Sequence, residues 1–101
     1  MKEKLRILVI DDDAGIRRTL SDILRIKGYE VVTVDNGTMG IAQAHQCFVN
    51  IALIDLKLPD IPGIEVMERI KSITPLTEAI ILTGYVKWTP GQDKSESSLR
   101  G

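Results

Sequence analysis

Apolar runs of strand length alternate along the chain with stretches of helical periodicity. Residues 5 to 10, LRILVI, are apolar except for Arg6. Ile16, Leu20, Ile23 and Leu24 then recur at helical spacing, with Arg17, Arg18, Asp22 and Arg25 on the opposite face. Gly28 supplies a stop. EVVTV, residues 30 to 34, is a second strand rich in β-branched residues. Asp35, Asn36 and Gly37 turn the chain, and Ile41, Ala44, His45 and Phe48 mark a second, weaker helix. A third strand, Ile51 to Ile54, runs into Asp55. The loop LKLPDIPG follows, kept from helix by its prolines and glycine. Val66, Met67, Ile70 and Ile73 set the inner face of a third helix. Glu65 with Arg69 and Glu68 with Lys71 are spaced to pair on its outer face. AIIL, residues 79 to 82, is a fourth strand, ending in Thr83 and Gly84.

This order, β-α-β-α-β-α-β with short connections, predicts an α/β fold with a doubly wound parallel sheet. Crossovers between parallel strands are right-handed, so helices cover both faces, and near-continuous apolar strands suit that burial.

Composition narrows the function. At 101 residues, 44% apolar and 27% charged, the chain has the make-up of one small soluble domain. A formal net charge of -1 gives no electrostatic footprint for nucleic acid. No apolar run approaches the roughly 18 residues of a membrane span. The N-terminus, MKEKLRILVI, lacks the cleavage site of a secretory signal. Cys47 has no second cysteine to pair with and is expected to be a small core residue within the second helix. A cytoplasmic setting follows from these features. His45 lies close to the second helix's stripe and has no second histidine with which to bind metal.

The chemistry concentrates in ILVIDDDAG, residues 7 to 15, where an apolar strand runs into Asp11, Asp12 and Asp13. Adjacent carboxylates disfavour one another's ionised form. One explanation is an acidic helix start that complements the helix dipole. Another comes from the fold, because ligands in doubly wound sheets bind beyond the carboxyl ends of the strands. If the first and third strands are neighbours, their ends lie roughly 5 Å apart, which brings Asp11 and Asp12 to Asp55, with Thr83 ending the fourth strand. An oxygen-rich site of that kind suits Mg²⁺ or Mn²⁺, whereas zinc prefers nitrogen and sulfur.

VIDDD (9 to 13), LIDLKLPDIPG (53 to 63) and ILTGY (81 to 85), in this order and spacing, resemble the receiver domain of two-component response regulators. The resemblance implies a flavodoxin-like sheet, here with strand order 2-1-3-4. It implies that Asp55 is the phosphoacceptor, attacking a phosphoryl group carried by a sensor histidine kinase, a phosphotransfer protein or a small donor such as acetyl phosphate. Asp12 would bind Mg²⁺ (or Mn²⁺) directly and Asp11 largely through water, with Asp55 and the backbone carbonyl of Lys57 completing the protein ligands. Thr83 would contact a phosphoryl oxygen and Gly84 would leave room for it. Lys57 and Tyr85 would border the path of attacking water and tune the lifetime of the phosphoryl group. Asp13 is better placed as a helix N-cap, and Pro59 and Gly63 shape the turn after the acceptor.

The chain also departs from that family. Full receivers continue through a fourth helix, a fifth strand ending in a Lys-Pro pair, and a fifth helix. Here Tyr85 is followed by VKWTPGQDKSESSLRG. The expected organisation is an incomplete receiver over residues 1–85 with a polar tail over 86–101. Lys57, Lys87 and Lys94 do not match the position of the family's phosphate-contacting lysine. Without a fifth strand, AIIL becomes an apolar sheet edge that invites pairing. A homodimer or exchanged oligomer is therefore expected, with Trp88 as the anchor if the tail packs across the partner.

The leading expectation is a Mg²⁺-dependent phosphorelay receiver that turns over no external substrate. The alternative is a pseudo-receiver, unable to be phosphorylated, that serves as a protein-interaction module. A third reading takes Asp11 and Asp13 as the D-x-D of a haloacid-dehalogenase-type phosphatase, but it leaves Asp55 unexplained.

Overall fold

The computed structural model describes residues 4–82. Within it, β1 (Arg6–Ile10), α1 (Ala14–Ile26), β2 (Glu30–Val34), α2 (Gly37–Gln46), β3 (Ile51–Asp55), α3 (Gly63–Ile73) and β4 (Glu78–Leu82) follow in order. The four strands form one parallel sheet in the order β2-β1-β3-β4. This is the expected doubly wound, flavodoxin-like arrangement, with each strand joined to the next through a helix.

β1 lies inside the sheet and is buried on both sides, so it carries no polar residue after Arg6. Leu8 and Ile10 join Ala52, Ile54, Val66 and Ile70 in the larger core cluster, beneath α2 and α3. Ile7, Val9 and Val31 form a smaller cluster on the other face, with Leu20 and Leu24 of α1 packed against it. Burying one such side chain contributes about 1.5–3 kcal/mol, so the twelve apolar residues buried among the described residues are a main source of stability.

The helix ends follow local chemistry. Asp13 caps α1, its side chain accepting from the Ile16 N–H at 3.1 Å. At the far end Gly28 takes φ +98°, which frees the chain to turn into β2, and its N–H bonds to the Arg25 carbonyl. Asn36 caps α2 by accepting from the Met39 N–H at 2.8 Å.

Several sequence expectations are corrected. Cys47 is not a core residue. α2 ends at Gln46, and Cys47 is an exposed, extended C-cap whose N–H closes the last turn onto the Gln43 carbonyl. Phe48 lies beyond the helix and is 49% exposed, while Val49 fills the buried place at the entry to β3. Ile23, expected on the inner stripe of α1, is 46% exposed. Glu65 and Arg69 do pair, at 2.8 Å. Lys71 instead gives its ammonium to the Pro75 and Thr77 carbonyls in the loop between α3 and β4. Thr83, Gly84, Tyr85, Trp88 and the polar tail lie outside the described residues.

Candidate functional site

The register of the sheet builds the site. Ile10 of β1 faces Ile54 of β3, so the next residue along each chain, Asp11 and Asp55, meet at the carboxyl edge. Asp55 is the last residue of β3 and pairs with Leu82 of β4. Thr83 follows that partner directly and lies beyond the described residues. Asp11, Asp12 and Asp55 each offer a carboxylate oxygen, and all these atoms lie within 4.8 Å of one another.

The three carboxylates differ in environment. Asp11 is fully buried, Asp55 is 8% exposed and Asp12 is open to solvent. Asp11 is fixed by its surroundings: its N–H reaches the Val34 carbonyl at 3.2 Å, and its Oδ1 accepts from the Asp13 N–H at 2.9 Å. Burying two carboxylates within such a radius is costly without a compensating charge. The donor set is all oxygen, hard and anionic, and it fits a hard divalent cation. Asp11, Asp12 and Asp55 would hold such an ion. The acidic run is thus more than a helix start, because Asp55 shares its pocket. Asp13 is engaged at the α1 cap, and the carboxylates grouped with Asp11 are those of Asp12 and Asp55.

Lys57 lies two residues past Asp55, in the loop between β3 and α3, with its side chain exposed. That loop is closed tightly at its base. The Gly63 N–H bonds to the Leu56 carbonyl at 2.9 Å, and a β-carbon at Gly63 would collide with the Asp55 carbonyl oxygen. Glycine is therefore required where α3 begins, directly behind the candidate acceptor.

Two residues at the site were not singled out from sequence. Arg17, one turn into α1, donates from Nη1 to the Asp11 carbonyl at 2.8 Å and ties the acidic corner to the helix. Asp60, in the β3–α3 loop, accepts from the first turn of α2. Its carboxyl is held well below the ordinary range, chiefly by the Thr38 hydroxyl and then by backbone N–H groups.

Known proteins agree with this geometry. The family model of the response regulator receiver domain matches residues 7–93. Sporulation initiation phosphotransferase F of Bacillus subtilis is 32% identical over 96 residues, covering 95% of this chain and 76% of its own length. The chain spans 36% of a longer relative, the transcriptional regulatory protein YkoG of the same organism, at 36% identity. Among solved structures, a CheY-like receiver domain protein from Methanospirillum hungatei superposes with a TM-score of 0.80 at 36% identity, over 97% of this chain and 75% of that one. The response regulator TrrA of Thermotoga maritima, solved with Mg²⁺-BeF, gives 0.75 at 26% identity, over 95% and 96%. The chain belongs to the response regulator receiver domain family of two-component systems. Its acidic pocket is the one formed by Asp11, Asp12 and Asp55. Among the described residues, no helix is long and apolar enough to cross a membrane.

Proposed function

We propose that this receiver domain accepts a phosphoryl group on Asp55 in a Mg²⁺-dependent reaction. The observation that carries the proposal is the meeting of three carboxylates at the ends of β1 and β3, two of them buried. A carboxylate oxygen of Asp55 would attack phosphorus as the bond to the donor breaks. The donor nitrogen or oxygen keeps the bonding electrons, and an aspartyl phosphate results. Asp11, Asp12, Asp55 and the Lys57 carbonyl would hold the cation. When bound, the cation offsets the repulsion between the anionic nucleophile and the phosphoryl oxygens. The chain's part is to hold Asp55 at the rigid end of an inner strand, with Gly63 packed behind it. Thr83 and Gly84 would contact the phosphoryl group, and Lys57 and Tyr85 would tune its lifetime.

The donors would be a phosphohistidine on a sensor kinase or phosphotransfer protein, or acetyl phosphate. Output would run through a protein partner, in the cytoplasm, without turnover of an external substrate. A homodimer or exchanged oligomer would use β4, the outermost strand among the described residues, where Ile80 is 44% exposed.

The test is intact-protein mass spectrometry after incubation with acetyl phosphate and Mg²⁺. One added phosphoryl group is expected, absent in Asp55→Asn and in chelator. A folded sample that gains none would mark the chain as a pseudo-receiver.

A further inference from the structure

The loop between β3 and α3 is tethered from outside itself, and one side chain makes the tether. Asp60 Oδ1 accepts from the Gly37 N–H at 2.8 Å and from the Ile61 N–H at 2.9 Å. Its Oδ2 accepts from the Thr38 N–H at 2.8 Å and from the Thr38 hydroxyl at 2.6 Å. Both oxygens are thus engaged, and three of the four bonds reach a helix 22 or 23 positions earlier. The first turn of a helix presents N–H groups that have no partner within the helix. In α2 these are divided: Asn36 takes the Met39 N–H, and Asp60 takes those of Gly37 and Thr38. A carboxylate is also the group that the positive end of the helix favours.

The loop has little else of this strength. Pro59 and Pro62 bring no N–H to it. Its base is closed by the Gly63 N–H on the Leu56 carbonyl, and Leu58 and Ile61 rest against the core. Gly37 is buried and packed so tightly that a β-carbon there would meet Val66 of α3 and the Asp60 carboxylate itself. The segment joining Asp55 to Asp60 is therefore held at one end by the sheet and at the other by α2.

We infer that Asp60 is a positioning residue for the acidic pocket: by anchoring the loop to α2 it fixes the backbone of Leu56–Pro59, and with it the Lys57 carbonyl and the approach to Asp55. The inference rests on the proposed Mg²⁺ and phosphoacceptor site. It adds that α2, an element contributing no residue to the acidic pocket, sets how well that site works. Asp60 does not touch the reacting groups, so it acts on affinity and rate through geometry. Residues that orient metal ligands from behind commonly cost about tenfold or more in affinity when removed.

The experiment uses the full chain, with Mg²⁺ titrated calorimetrically and acetyl phosphate as the donor. Asp60→Ala is expected to weaken Mg²⁺ binding about tenfold. It should slow Asp55 phosphorylation at saturating Mg²⁺ and leave the acetyl phosphate concentration for half-maximal rate unchanged. Asp60→Asn keeps one acceptor oxygen and should recover part of both losses. Thr38→Val removes only the hydroxyl bond and should shift Mg²⁺ affinity in the same direction. If Asp60→Ala is unfolded, Thr38→Val decides. Variants that melt at lower temperature while binding Mg²⁺ and accepting phosphate like the unaltered protein would reduce Asp60 to a helix cap and overturn the inference. Failure of the unaltered protein to bind Mg²⁺ would instead refute the proposed site on which the inference stands.

Discussion

The two faces of the sheet use the same four strands and end in different states of burial. On one face Leu8, Ile10, Ala52 and Ile54 are buried under α2 and α3, with Val66 and Ile70 above them. On the other, Ile7, Val9 and Val31 are buried, yet Ile51 and Leu53 are only partly covered and Ile80 is 44% exposed. Among the described residues, α1 packs on β1 and β2, whereas α2 and α3 together reach all four strands. The residues named on the two faces are all apolar. What separates them is how far the helices above extend across the sheet, and side-chain chemistry carries no signal for that.

The widest gap should appear when one apolar residue is truncated on each face. Ile70→Ala or Ile54→Ala should lower the unfolding free energy by about 2–5 kcal/mol. Ile80→Ala should cost less, about 1 kcal/mol, since nearly half of that residue is already in water. Equal losses in urea titrations would show that the second face is as well packed as the first.

At the carboxyl edge the comparison turns electrostatic. Asp11→Asn removes one of two buried charges and keeps an oxygen for the Asp13 N–H. In chelator it should therefore raise stability by about 1 kcal/mol, the size of one unit of carboxylate interaction. It should also lose the stabilisation that Mg²⁺ gives the unaltered protein through binding to the native state. A variant that melts lower in chelator would contradict the repulsion argued for the pocket.

Smaller effects belong to the helices. Asp13→Ala removes the α1 cap and should cost about 1 kcal/mol. Glu65→Ala breaks an exposed pair on α3 and should cost about 0.3–0.5 kcal/mol. Thermal denaturation of the two variants should preserve that order. The slightest change is expected in the acid limb. Bonding to Thr38 lowers the folded-state pKa of Asp60 below its ordinary value of 3.8. The stability this confers is present above the ordinary value and is lost as pH falls from there towards the folded-state value. Asp60→Asn should make the loss of stability below about pH 4 shallower, modestly so because the group is exposed.

Much of this architecture was legible before the structure. The apolar runs located all four strands, and alternation with helical stripes implied parallel crossovers. The pocket was legible because strand ends in such a sheet share one edge, so Asp11, Asp12 and Asp55 could be brought together by topology alone. Cys47 and Phe48 were misplaced because α2 carries a weak stripe, with Ile41 and Ala44 its main inward residues, leaving the helix end unmarked. Lys71 was misassigned because the loop that follows α3 folds back with carbonyls that compete with a neighbouring carboxylate. Arg17 escaped notice because its partner is a backbone carbonyl, and Asp60 because three of its four bonds come from backbone N–H groups, which look the same in every residue.

The inner position of β1 has a consequence for how the molecule comes together in time. Its neighbour β2 is near along the chain: Arg6 meets Glu30 across 24 positions. Its other neighbour is far, as Arg6 and Asn50 meet across 44. Closing the second gap costs more chain entropy, and only that closure places Asp55 beside Asp11. The charged corner is thus assembled by the most distant strand pairing β1 makes, and an ion held there would act as a latch on that pairing. Backbone amide exchange would record it: Mg²⁺ should slow exchange in β1 and β3 more than in β2, although β2 borders the same strand.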